Sequence, residues 1–70
     1  MVEIGKVYKH YKGNKYIVLN IGTHTETNEK LVVYSPINDR SIVWVRPYNM
    51  WNEIVDNDNN KKRFELDNNG

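Results

Sequence analysis

Apolar residues in this chain come in short runs that hold no helical period, and each run is closed by turn-forming residues. Residues 7–11 lead into Lys12-Gly13-Asn14-Lys15, a hairpin turn signal. Residues 16–21 then form a strand that is apolar on both faces, which belongs in the middle of a sheet. Gly22 is expected to end it, and the polar residues 23–29 make the next connection. Lys30-Leu31-Val32-Val33-Tyr34 is rich in β-branched and aromatic residues and predicts a third strand, closed by Ser35-Pro36. A turn over residues 37–40 and a fourth strand over 41–46 follow. Pro47 cannot donate to a ladder, so residues 47–50 read as a short helical or 3₁₀ turn before extension resumes at Trp51 to Val55. Residues 56–62 are too polar for a core and read as an exposed hairpin loop. A terminal strand is expected over residues 63–66, with residues 67–70 frayed.

This order of elements predicts an all-β fold: a small, strongly bent antiparallel sheet resembling an SH3-like barrel, with one short helical turn near residues 47–50. A single domain over residues 1–66 accounts for it, without repeats or a linker. Alternation along a strand sorts the side chains between faces. Val43 and Val45 share one face, and Ile42, Trp44 and Arg46 share the other. In the first strand Tyr8 and His10 oppose Val7, Lys9 and Tyr11. The valines are the natural core choice, which leaves Trp44 and Arg46 on a partly open face where an arginine can stack or grip an anion.

Composition narrows the picture. A chain of 70 residues buries only about 60% of its unfolded surface, so the core is thin. It has no cysteine, which excludes disulfides and thiolate metal clusters and suits a reducing compartment. The start of the chain lacks a signal pattern and no apolar stretch nears the ~20 residues of a membrane span; the expected location is cytoplasmic, without a membrane partner. Net charge is +1, too small to argue for nucleic acid by itself. Lys6, Lys9, Lys12 and Lys15 recur every three residues, whereas Asp56, Asp58, Glu65 and Asp67 lie in the last third. The lysines read as edge-strand charges that discourage aggregation, or as an anion-attracting rim.

Two stretches carry more polarity than packing needs: His24-Thr25-Glu26-Thr27 in a connection, and Trp44-Val45-Arg46-Pro47 in a strand. The hydroxyls of Thr25 and Thr27 can simply satisfy turn backbone. They can equally join His24 and Glu26 in reading a sugar or a base edge. Glu26 is also a candidate ion-pair partner for Arg46. Tyr8, His10 and Lys12 add rings and charge from the first strand and its turn. His10, His24 and Glu26 are metal-ligand residue types, but none has the spacing of a metal motif. Ser35 and Ser41 lack a nucleophile motif or a base nearby in sequence. Neither an enzyme nor a cofactor is expected.

Several of these segments, taken together, resemble a small bacterial family of domains of unknown function. The similarity lies in His10-Tyr11-Lys12-Gly13, His24-Thr25-Glu26-Thr27 with Leu31-Val32-Val33-Tyr34, Trp44-Val45-Arg46-Pro47 with Met50-Trp51, and Arg63-Phe64, in that order from Gly5 to Phe64. The resemblance implies a compact β domain and no particular activity. Lys9 stands where the family pattern has arginine, and Trp51 where it has phenylalanine. The connection over residues 36–41 is less like the pattern, so no ligand contact is carried over to it.

These residues lead to a non-catalytic binding module. Its expected ligand is small and anionic or nucleotide-like, held in a pocket between the His24 to Thr27 connection and the Trp44 to Arg46 strand, with a homo-oligomer possible. The alternative is an interaction domain that binds a peptide or single-stranded RNA on the barrel surface. Nucleic acid is the less favoured partner because charge is near balance and the polar residues cluster rather than form a stripe.

Overall fold

The computed structural model describes residues 1–67. Among these residues seven strands and one helical turn follow in the order β1 (Val7–His10), β2 (Lys15–Thr23), β3 (Lys30–Pro36), β4 (Trp44–Pro47), α1 (Tyr48–Trp51), β5 (Ile54–Asp56), β6 (Lys61–Lys62) and β7 (Phe64–Leu66). Five of them form one antiparallel sheet in the order β4-β3-β2-β1-β7, with β2 at the centre. The fold is therefore the small all-β, barrel-like domain expected. It stays open, because β4 and β7 are opposite edges of this sheet. β5 and β6 pair as a separate ribbon around the polar hairpin: β5 lies largely in the extension expected up to Val55, and β6 adds two paired residues at the end of the loop expected over residues 56–62. An Asx turn closes this ribbon: the Asp56 carboxylate accepts from the Asp58 and Asn59 amides and from the Asn59 side chain, which holds its pKa below the usual value.

The β1–β2 hairpin shows how sequence sets local structure. Gly13 has φ of +110°, a conformation open to glycine and strained for other residues. Its amide donates to His10 O, and the His10 amide donates to Asn14 O. Beyond the turn, β2 runs past Gly22 to Thr23, because Gly22 pairs with Leu31 and needs no special φ. A bulge lies between Val18 and Asn20, which adds twist and helps bend the sheet.

Register defines the inner face. Tyr8 lies opposite Tyr16, His10 opposite Phe64, Val18 opposite Tyr34, Val32 opposite Arg46, and Tyr34 opposite Trp44. On this face the core gathers Tyr8, Val18, Val32, Tyr34 and Phe64, with Trp51 delivered by α1. Trp51 is 0% exposed, stacks on Phe64 at 3.7 Å and 4°, and meets Tyr34 and Tyr8 edge-on at 4.9 and 5.5 Å. Burial of Val18, Val32 and Phe64, each at most 1% exposed, contributes roughly 1.5–3 kcal/mol per side chain. Two tyrosine hydroxyls hold the N-terminal arm: Tyr48 accepts from the Val2 amide at 3.0 Å and Tyr8 from the Glu3 amide at 2.9 Å.

Four expectations are corrected. Val43 and Val45 are 53% and 54% exposed; alternation was right, but the face bearing Trp44 and Arg46 is the one that meets the core. Residues 41–43 precede β4 rather than forming part of it. Trp51 ends the helical turn instead of starting a strand, since its ring is needed under Tyr34. Asp67 is anchored, not frayed: its amide donates to Val7 O at 2.9 Å and its carboxylate pairs with Lys15 at 2.8 Å. The rest of the expected tail, residues 68–70, lies outside the described residues.

Candidate ligand-binding face

α1 covers only part of the inner face. The remainder, toward the β1–β2 turn, is floored by Tyr34 and Phe64 and lined by Tyr16, Trp44, His10 and Arg46. Trp44 stays 46% exposed because β4 is a short edge strand with no neighbour beyond it. Its indole lies 6.0 Å from the Tyr16 ring and 6.1 Å from the Tyr34 ring. Arg46 is positioned from two sides. Its Nε donates to the Tyr34 hydroxyl at 3.4 Å, and its guanidinium carbon sits 5.6 Å from the centre of the Phe64 ring. A cation held over a ring in this way keeps its charge while losing mobility.

His10 stands between rings and cations. It packs edge-on against Phe64 at 4.9 Å and Tyr16 at 6.4 Å. Its Nδ1 accepts from the Lys12 amide at 3.2 Å, which requires that nitrogen to be unprotonated and puts the neutral ring's proton on Nε2. Burial, helped by the positive charges of Arg46, Arg63 and Lys12, lowers its pKa below the ordinary value. An anion at this end of the face would relieve that electrostatic load.

Two grooves flank the β1–β2 turn. One, of about 390 Å³, is lined by the rings of Tyr16 and Trp44, by Pro36 and Ile37, and by the polar Asn14, Lys15 and Asn38. The other, of about 300 Å³, is cationic, between Lys9, His10, Lys12, Lys61, Lys62 and Glu65. Gly13 forms part of the wall of both.

The sequence-predicted residues separate into three groups. His10, Lys12, Trp44 and Arg46 lie on or beside this face. Tyr8 does not: at 4% exposure it belongs to the core, and its hydroxyl is engaged with the N-terminal arm. His24, Thr25, Glu26 and Thr27 lie in the β2–β3 turn, which leaves the sheet at the Thr23–Lys30 pair, beyond the Leu31–Pro47 pair that ends β4. Trp44, level with Tyr34, is four positions further back along β3 than Lys30. Among the described residues no hydrogen bond, ion pair or ring contact joins the two stretches, and the ion pairs found are Lys15–Asp67 and Arg63–Glu53, not Glu26–Arg46. Two side chains of the turn are engaged by its own backbone. His24 Nδ1 accepts from the Glu26 amide, Thr27 Oγ1 accepts from the Glu29 amide, and Asn28 takes φ of +61° to close it.

Tyr16, Phe64, Arg63, Lys61 and Lys62 are not among the site residues expected from sequence. Arg63-Phe64 was visible as a motif, but the pairing of β7 with β1 that sets Phe64 beside His10 is a long-range choice. Both serines hydrogen-bond around Asp39. Ser35 is buried with its hydroxyl 3.4 Å from Asp39 O, and Ser41 donates to the Asp39 carboxylate at 2.6 Å. Among the described residues no group of three or more His, Cys, Asp or Glu side chains is placed to hold a metal, and no helix is long and apolar enough to cross a membrane.

One family model, described as a protein of unknown function (DUF1653), matches residues 6–66. Neither the curated proteins nor the solved structures contain a match.

Proposed function

The chain belongs to the DUF1653 family of proteins of unknown function, and from its inner face we propose a non-catalytic module that binds a small anionic, nucleotide-like ligand. The carrying observation is the convergence of two half-open rings, Tyr16 and Trp44, with a pre-positioned guanidinium, Arg46, on one rigid sheet. Rings offer a stacking surface to a base, and the arginine offers charge-assisted hydrogen bonds to a phosphate. The proposed site is thus the Trp44 to Arg46 strand with His10 and Tyr16. The β2–β3 turn is left out, since it leaves the sheet at Lys30, four β3 positions from the residue paired with Trp44. A binding role also suits His10, whose Nδ1 is committed to the turn backbone rather than to a hydroxyl or a carboxylate.

Isothermal titration with a nucleoside monophosphate tests this reading. Trp44→Ala is expected to weaken binding by about 5- to 150-fold, the equivalent of roughly 1–3 kcal/mol of stacking. Arg46→Gln should weaken the monophosphate while leaving the weaker binding of the uncharged nucleoside unchanged. Absence of heat with the wild-type protein at millimolar ligand would overturn the proposal, as would unchanged affinity in both variants while circular dichroism shows them folded.

A further inference from the structure

Resting on that reading, we propose that the occupant is a single-stranded polynucleotide, with one base in the aromatic groove and neighbouring phosphates in the lysine groove across the β1–β2 turn. The two grooves share Gly13 as wall, so a ligand leaving the aromatic one passes over the hairpin tip into the other. Gly13 has no side chain to block that passage, and its φ of +110° keeps larger residues out. Each groove, of 300–390 Å³, lies at the small-ligand end of pocket volumes; a strand would use both.

Charge points the same way. The protein carries only +1 overall, yet Lys9, Lys12, Lys61 and Lys62 surround one groove with Glu65 as its acidic member. None of the four forms an ion pair among the described residues, whereas Lys15 at the same turn is paired with Asp67. Four like charges around one depression repel one another and are stabilised by a polyanion. The lysines come from β1, its turn and the β5–β6 ribbon, so the tertiary fold gathers them. Lys12 also lies 5.8 Å over the Tyr11 ring, which steadies it at the groove mouth.

Fluorescence polarisation with labelled ten-nucleotide oligo(U) and oligo(dT), each competed with the matching nucleoside monophosphate, tests the inference. The oligomers should bind at least tenfold more tightly than the monophosphate. Neutralising two to four phosphates predicts a log–log salt slope of about −1.4 to −2.8, or roughly a 7- to 50-fold loss between 50 and 200 mM salt. Lys61→Gln with Lys62→Gln should weaken the oligomers and reduce that slope, with monophosphate affinity and Tm unchanged. Preference for either sugar supports the inference. Oligomers no tighter than the monophosphate, or insensitive to the double substitution, would overturn it and leave the small-ligand reading standing. Failure of both ligands to bind would overturn both.

Discussion

Replacing Trp51 tests how this thin core is held. Its indole is fully buried, stacked on Phe64 and edged by Tyr34 and Tyr8, yet its Nε1 finds no acceptor among the described residues. Trp51→Ala removes about 150–250 Å² of buried ring surface, worth roughly 4–6 kcal/mol by area. Substitutions of this kind cost about 3–5 kcal/mol in practice. A chain of 70 residues has a total stability of about 3.5–10 kcal/mol, so the loss takes most of it. At about 4–8 °C per kcal/mol for a domain this size, Tm should fall by at least about 12 °C, or cooperative unfolding should vanish. Trp51→Phe differs in kind. It keeps a ring on Phe64 and leaves a cavity costing about 1 kcal/mol, but it relieves about 1–3 kcal/mol of desolvation at an unpaired N–H. Its Tm should match or exceed that of the wild type. Thermal unfolding followed by near-ultraviolet circular dichroism distinguishes the cases. A phenylalanine variant that falls as far as the alanine variant would refute the unpaired indole, and an alanine variant within about 5 °C of wild type would refute the clamp.

Three further outcomes are expected. Gly13→Ala should cost about 1–3 kcal/mol through its positive φ alone, since an added Cβ meets nothing within 4 Å; Gly22→Ala, equally open but without positive φ, should leave Tm level or raise it. Val43→Thr and Val45→Thr should stay within about 0.5 kcal/mol in urea denaturation, whereas Val32→Thr, at a fully buried position, should cost about 1–3 kcal/mol. Because burial, Arg46, Arg63 and Lys12 set the folded His10 pKa below 6.5, the unfolded chain takes up its proton first as pH falls. Stability from this group is complete above that value and is lost as pH drops from it toward the lowered folded pKa. His10→Gln should flatten the Tm–pH curve in that window, and an unchanged slope would contradict the assignment.

Much of the fold was legible because it rests on local chemistry. Gly13-Asn14 fixed the first hairpin, β-branched residues marked β3, and Pro47 placed the helical turn before the late strands. Strand alternation correctly paired Trp44 with Arg46. The choice of face failed at Val43 and Val45 because hydrophobicity there ranked valine as core, while the actual core is built of rings: Tyr8, Tyr34, Trp51 and Phe64 fill the inner side and draw Trp44 and Arg46 toward them. The candidate site was half legible. His10, Lys12, Trp44 and Arg46 stood out by residue type, but their neighbours Phe64, Lys61 and Lys62 reach them only through the β1–β7 pairing and the β5–β6 ribbon. The polar β2–β3 turn stands out by its histidine, threonine and carboxylate chemistry, but its separation from Trp44 follows only from the β2–β3 and β3–β4 registers.

The chain holds two tryptophans, one at the open face and one sealed in the core, which gives the proposed site its own internal control. Titrating a nucleoside monophosphate into ¹⁵N-labelled protein and following the two indole N–H signals tests the central claim most directly. The Trp44 signal should shift in a saturable way, together with the amides of His10 and Arg46, while the Trp51 signal and the amides of residues 24–27 stay in place. A static Trp44 signal, or shifts confined to residues 24–27, would contradict a ligand site on the inner face.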